Sequence, residues 1–404
     1  QVHNSVGVRV RRFSEVRNDD RLFLVPHDRL FVFATVKVGY SITLPHVENP
    51  EGGCVVMETL ATSPRVFELR NFMTPDEADV IIADALAIED EAHKLKRSST
   101  GVKGGAVSKT RTSENAFLTT SDAAMALKHR IFRLLGIEHY RETWADGLQV
   151  LRYNVSKAYI AHLDYLEADP KSVHDFDSGG SGINRFATVL LYFTEPGEGG
   201  ETVFTHAPPL AEGGGAGELR PMDKTLLELR AKEGEYLESI GITRNSWEEK
   251  LIAQCRSRLA FKPKKGAAVL FYSQHPDGAV DNASEHGACP VIRGQKWAAN
   301  LWVWNGPRYG YTKRDPRTGK MIESGLGDNY KVREDSDLVL ATFFNDDLDG
   351  AVLYYQDQLW AALDVGASTA ANSYVGHEWN VRVDGEVVQE FSITEYVPEQ
   401  TFTI

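Results

Sequence analysis

Apolar positions recur with two different periods along this chain, and the changes of period mark its organisation. Leu22-Phe-Leu-Val25 and Leu30-Phe-Val-Phe-Ala-Thr-Val-Lys-Val38 are rich in β-favouring residues, with Pro and Gly punctuating the rest of residues 1–61. Pro64 to Phe72 reads as a strand leading into a helix. Thr74-Pro-Asp-Glu77 is a capping box with Pro at the first helical position, and Ala78, Ile81, Ile82 and Ala85 follow at helical spacing. A second helix is predicted from about Asp122 to Leu135. It has Met125, Leu127, Ile131 and Leu134 on one face and stops at Gly136. Two helices ahead of a run of strands suit a layer packed on a sheet.

From Leu148 the period shortens to that of strands. The segments are Leu148–Tyr153, Ala187–Phe193, Thr202–Phe204, Ala268–Tyr272 and Trp297–Trp304. Short strands separated by turn signals predict a mainly β fold with supporting helices, a jelly-roll barrel. Residues 207–258 interrupt it. There Gly213-Gly-Gly215 reads as a hinge and Ser246-Trp-Glu-Glu249 as a second capping box, with Trp247, Leu251, Cys255 and Leu259 at helical spacing. Lys94 to Glu114 is polar and reads equally as a lid or a solvated loop. Residues 313–335 read as a polar linker, and 336–404 as a separate small β-sandwich. The expected domains are thus a strand-rich extension (1–61), the barrel domain (62–312), the linker and the sandwich.

Composition narrows the partners. With 25% charged residues and a net charge of −13, the chain has the make-up of a soluble globular protein and disfavours nucleic acid or an anionic membrane as partner. No apolar run reaches the length of a membrane span. Three cysteines are too few for a disulfide scaffold. The chain begins at Gln1, so any targeting segment is expected to lie outside it.

The candidate chemistry lies between Tyr153 and Trp302. His162 and Asp164 are two apart, so on a strand they share a face and can hold one ion. His286 is the candidate third ligand. Two imidazoles and one carboxylate leave open positions for a co-substrate and O2. His174, His206 and His275 read as loop histidines.

Around these ligands stand Asn184–Phe193, Gly199-Gly-Glu-Thr-Val-Phe204, Phe261–Tyr272, Pro276-Asp-Gly278 and Gly294-Gln-Lys-Trp297. In this order and spacing, residues 62–306 resemble the catalytic domain of the collagen- and plant-type prolyl 4-hydroxylases. The resemblance implies a double-stranded β-helix, Fe(II) held by His162, Asp164 and His286, and 2-oxoglutarate, O2 and ascorbate as co-substrates and cofactor. It implies 4-hydroxylation of peptidyl proline, yielding succinate and CO2. Lys296 matches the cation for the far carboxylate of 2-oxoglutarate, Tyr153 and Thr202 its hydroxyl donors, and Trp302 the residue near its inner carboxylate. Tyr159 and Arg185 match substrate-binding positions. Trp304 stands where the family has a peptide-contacting histidine, which leaves the peptide preference open. Cys255 and Cys289 match positions that form a disulfide in plant-type members, against the alternative of free buried thiols. The insertion is longer than the family's own.

Residues 371–379, with Phe344-Asn345 and Val352–Tyr355, resemble the β domain of the von Hippel–Lindau protein, which binds hydroxyproline. The resemblance implies a hydroxyproline pocket of Trp360, Ser373, His377 and Trp379, with Trp360 where that family has tyrosine. Two alternatives stay open at this point: a 2-oxoglutarate hydroxylase of another side chain, and an inactive peptide-binding relative. The expected partner is a proline-containing peptide or protein. The expected location is the endoplasmic reticulum or secretory pathway, with the cytoplasm as the alternative.

Overall fold

The computed structural model describes the chain apart from residues 18–19, 27–28, 90–93, 99–107, 119–120, 138–139, 142–143, 167–182, 213–214, 307–310, 315–320, 326–337, 356–357, 375–376 and 394–398. It divides into two compact units, Gln1–Tyr311 and Thr312–Ile404.

Unit 1 is a jelly roll of two facing sheets. The nine-stranded major sheet runs in the order Ser41–Glu48, Cys54–Thr62, Arg65–Arg70, Ala268–Tyr272, Arg185–Tyr192, Lys296–Trp304, Leu148–Tyr153, Glu114–Leu118, Lys96–Arg97. The four-stranded minor sheet runs Leu259–Phe261, Thr202–Phe204, His286–Ala288, Tyr159–His162. Helices α1 (Pro75–Leu86) and α2 (Asp122–Leu134) cover the outer face of the major sheet.

Strand parity decides which residues reach the site. On the Lys296–Trp304 strand, Trp297, Ala299, Leu301 and Val303 join the helix-side core, while Ala298 joins the core between the sheets. Lys296 and Trp302 share the parity of Ala298 and face the barrel interior. The Arg185–Tyr192 strand obeys the same rule. Ala187, Val189 and Leu191 meet the helices, and Leu190 and Tyr192 face inward, with Thr188 on their side.

The first capping box forms in full. Thr74 accepts from the Glu77 backbone and Glu77 returns to the Thr74 N–H. Arg130 of α2 then clamps the Glu77 carboxylate at 2.8 Å and the Phe72 carbonyl at 2.8 Å, tying both helices to the end of the Arg65–Arg70 strand.

Several expectations from the sequence change. The Leu30–Val38 stretch forms no strand: none of the described strands pairs with it, and Lys37–Val38 enter a turn closed by the Tyr40 N–H on the Lys37 carbonyl. Only half of the second capping box forms: Ser246 caps α4 (Trp247–Cys255), but Glu249 turns to Arg230 and to the Asn245 N–H instead. Helical spacing to Leu259 is broken, since α4 ends at Cys255 and Leu259 starts a minor-sheet strand. Helix α3 (Met222–Ser239) packs with α4 around Leu229, Leu237 and Ile252. Tyr311–Arg314, which runs into the stretch expected to be linker, and Met321–Gly325 within that stretch pair as a two-stranded ribbon. Gly213 and Gly214 of the expected hinge, and residues 99–107 of the polar Lys94–Glu114 stretch, fall outside the described residues.

Cys255 and Cys289 are bonded, with Cα atoms 6.4 Å apart. The bond staples the end of α4 to the segment just past His286. Its loop of 34 residues is worth about 4 kcal/mol in lost unfolded-chain entropy. Thiol counting under denaturing, non-reducing conditions is therefore expected to find one reactive thiol, Cys54. A count of three would remove the bond.

Unit 2 has its own core. Val339, Phe343, Leu353, Trp379 and Val381 are buried between a three-stranded and a four-stranded sheet.

Candidate active site

The minor sheet brings two imidazoles face to face. His286 is the cross-strand partner of His162, and Asp164 follows two residues later. Their ligand atoms lie within 4.8 Å of one another. Nε2 of each histidine is 3.6 Å from a different oxygen of Asp164. Each Nδ1–H donates to a backbone carbonyl, His162 to Ile160 at 2.9 Å and His286 to Ser284 at 3.0 Å. That fixes the tautomer and turns the Nε2 lone pairs inward. The Thr188 hydroxyl donates to Asp164 at 2.7 Å and orients the carboxylate. Gly287 lets the strands close: a Cβ there would stand 3.1 Å from the Tyr159 carbonyl and 3.2 Å from Leu251.

The electrostatics suit a metal. Burial works to raise the Asp164 pKa. Its neighbours His286 and His162 and the Arg185 charge more than reverse it, so the carboxyl lies far below its usual range. Burial pulls His286 down to about 4 against the opposing pull of Asp164. At neutral pH the set is a carboxylate with a neutral imidazole on His286, the state a divalent cation needs. These donors fit Fe(II).

Deeper in the barrel, Lys296 lies opposite Tyr153 on the neighbouring strand and is fully buried. Its ammonium stands 5.3 Å from the Tyr153 ring and 5.5 Å from the Tyr192 ring. Burial lowers its pKa to about 7, with Glu201 opposing. Among the described residues it forms no salt bridge. A buried ammonium without a counter-charge is costly, and a carboxylate of an incoming acid would relieve that cost. Tyr192 donates to Thr202 Oγ at 2.9 Å, which leaves the Thr202 hydroxyl hydrogen free to point elsewhere. The Trp302 indole N–H is buried with no acceptor among the described residues. This lining fits a small dicarboxylate beside the metal.

At the mouth, the Tyr159 ring stacks on His162 at 3.8 Å, with the Arg111 guanidinium 4.8 Å from its centroid. Arg185 lies 3.8 Å over the Trp302 ring and is held by Asp146 at 3.0 Å. Asp146 also accepts from Trp304 at 3.3 Å. Thus His162, Asp164, His286, Tyr153, Thr202, Lys296, Trp302, Tyr159 and Arg185 converge in unit 1.

Four neighbours were not anticipated. Thr188 and Tyr192 were legible in principle, because inward parity on an apolar strand singles out a hydroxyl. Arg111 and Asp146 carried no such signal, since they reach the site from polar stretches. Among the loop histidines, His206 pairs with Glu285 at 3.6 Å and His275 with Asp281 at 3.8 Å; His174 lies outside the described residues.

In unit 2, Ser373 is buried and accepts from the Trp379 indole at 2.9 Å. Ser373 also bonds His377 Nδ1 at 3.1 Å, and His377 Nε2 bonds the Tyr355 hydroxyl at 2.9 Å. Trp360 stands edge-on to Trp379 at 5.3 Å and is 47% exposed. The four expected residues do meet. The sequence reading missed Tyr355, which already occupies the outward nitrogen of His377.

Residues 148–304 match the 2OG-Fe(II) oxygenase superfamily, the class that the barrel and the triad define. Over 258 residues, 61% of this chain and 70% of the relative, the chain is 31% identical to probable prolyl 4-hydroxylase 4 of Arabidopsis thaliana. It is 32% identical over 253 residues to probable prolyl 4-hydroxylase 8 of the same plant, with the same 61% and 70% coverage. The viral collagen prolyl hydroxylase of Paramecium Bursaria Chlorella virus-1, solved with 2OG, aligns at 18% identity and a TM-score of 0.35, covering 59% of this chain and 95% of that one. The chain belongs to the prolyl 4-hydroxylase family. Its reaction class uses Fe(II), 2-oxoglutarate and O2.

Proposed function

We propose that the chain hydroxylates peptidyl proline at C4, with 2-oxoglutarate and O2 consumed and succinate and CO2 released. The observation that carries this reading is the pairing of an inward-facing His-Asp-His set with a buried Lys296 that forms no salt bridge among the described residues. Bound there, Fe(II) and 2-oxoglutarate supply the oxidising power for a C–H bond. His162, Asp164 and His286 hold the metal. Lys296, Tyr153 and Thr202 hold the far carboxylate of 2-oxoglutarate, and the Trp302 indole lies near its inner end. Tyr159, stacked on His162, and Arg185, locked by Asp146, flank the target residue and its peptide. The test is mass spectrometry of proline-containing and proline-free peptides incubated with Fe(II), 2-oxoglutarate and ascorbate. One added oxygen at C4 of proline is expected. Oxygen on another side chain, or none with succinate absent, would overturn the reading. The Cys255–Cys289 bond supports work in an oxidising, secretory compartment.

A second reading rests on the Ser373–His377–Tyr355–Trp379 cluster. A buried hydroxyl network rimmed by two tryptophans is suited to a ring that carries a hydroxyl, and we propose that unit 2 binds hydroxyproline. Ser373 and His377 are already paired, so an incoming hydroxyl must displace the Tyr355 bond rather than fill an empty valence. Calorimetry on the whole chain, with peptides differing only in proline hydroxylation, is expected to show tighter binding of the hydroxylated form and its loss in Ser373→Ala. Equal affinity would remove the reading.

A further inference from the structure

We infer that the N-terminal segment of unit 1 carries a docking groove for an extended acidic peptide, which binds by adding a strand. The groove, of about 370 Å³, is lined among the described residues by 23–26 and 29–35, with Arg65 and Pro276. It lies apart from the triad and from the Lys296 pocket, and none of the residues proposed for the hydroxylation site lines it.

The backbone is what makes it a strand site. Phe31 and Phe33 are buried, while Val32 and Ala34 point outward, the alternation of a half-buried strand. An aromatic row pins the inward side. Phe31 meets Phe33 at 5.0 Å, Phe33 meets Phe67 at 6.2 Å, and Phe67 meets Tyr272 of the major sheet at 6.4 Å. The segment is therefore held extended by its side chains rather than by a ladder. Its Phe33 N–H donates to the Tyr272 hydroxyl at 3.2 Å, and among the described residues no backbone–backbone bond is made from Leu30 to Val36. In extended chain, successive residues turn their N–H and C=O to opposite edges. With the Phe33 N–H turned to Tyr272, the amides of Val32 and Ala34 face the other edge, where no described strand receives them.

Phe23–Leu24, also in the lining, pairs among the described strands only with Val2–His3. Leu24 is 83% exposed. Folded proteins cover or blunt such edges, and an open one is a template for a partner strand. The span from Leu30 to Thr35 matches a peptide of about six residues, at roughly 3.4 Å each.

Charge selects the occupant. Arg65 lines the groove, as does Arg29, and no acidic residue does so among the described residues. In a chain of net charge −13 this is a local reversal. It favours carboxylates on the incoming strand, with apolar residues alternating between them to meet Val32 and Leu24.

The experiment is fluorescence anisotropy of the full chain with a fluorescein-labelled hexapeptide of alternating glutamate and valine. The control peptide carries lysine in place of glutamate. The glutamate peptide is expected to bind saturably and at least about tenfold more tightly than the lysine peptide. Ala34→Pro removes an edge N–H while keeping an extended backbone, and is expected to weaken binding about tenfold with hydroxylase turnover retained. Arg65→Glu is expected to reverse the preference between the peptides, and it decides the matter should Ala34→Pro fail to fold. Absence of saturable binding, equal affinity for both peptides, or unchanged binding in a folded Ala34→Pro would overturn the inference. Dimerisation of the chain that Ala34→Pro abolishes, without peptide binding, would overturn it in favour of a second copy as occupant.

Discussion

Lys296→Ala is expected to raise the KM for 2-oxoglutarate by more than about 100-fold, since leaving one buried charge of a pair unpartnered costs roughly 3–5 kcal/mol. Thr202 and Tyr153 remain in place, so the lesion falls on co-substrate binding before it falls on metal content. The same residue gives a pH signature. Burial holds the Lys296 pKa at about 7, below its ordinary 10.5. For folding, the unfolded chain carries a proton between these values that the folded chain lacks, so stability rises with pH across that window. Below pH 7 both states carry it, and the burial penalty is fully present. Binding of a carboxylate runs the other way, because it needs the ammonium. The affinity for 2-oxoglutarate is therefore highest below pH 7 and falls up to about tenfold per unit above it. Measuring KM for 2-oxoglutarate from pH 6 to 9 checks this. A flat profile, or an unchanged KM in the alanine variant, would move the anchor elsewhere.

Alanine at His162, Asp164 or His286 is expected to cut turnover by more than about 100-fold, beyond the 10- to 100-fold cost of losing a group that only orients a ligand. Each substitution removes one of three donors and leaves the other two without a facial set. For Asp164→Ala the Thr188 hydroxyl also loses its acceptor in a buried place. The check is succinate formation together with Fe(II) content after desalting, with the melting temperature followed as a control. Turnover retained in all three variants would remove the triad.

The readable parts of this protein are those set by local periodicity. The Thr74–Glu77 box, the Asp122–Leu134 helix and the alternating runs that became the major sheet all follow from which residues can share a face. His162 and Asp164 were legible for the same reason, since a two-residue spacing needs no tertiary knowledge to put them on one side.

Register and neighbourhood belonged to the tertiary structure. His286 lies opposite His162 only because two strands some 120 residues apart pair in one register, and a one-residue slip would turn it away. Lys296 is a buried ammonium rather than a surface lysine because of what closes over its strand, which also lowers its pKa. Leu30–Val36 has the composition of a strand yet joins no ladder, because a strand exists only where a neighbour receives its amides. Composition determines how willing a segment is to extend; whether it becomes a buried wall, a metal cradle or an open edge was decided by which other segments the fold brought beside it.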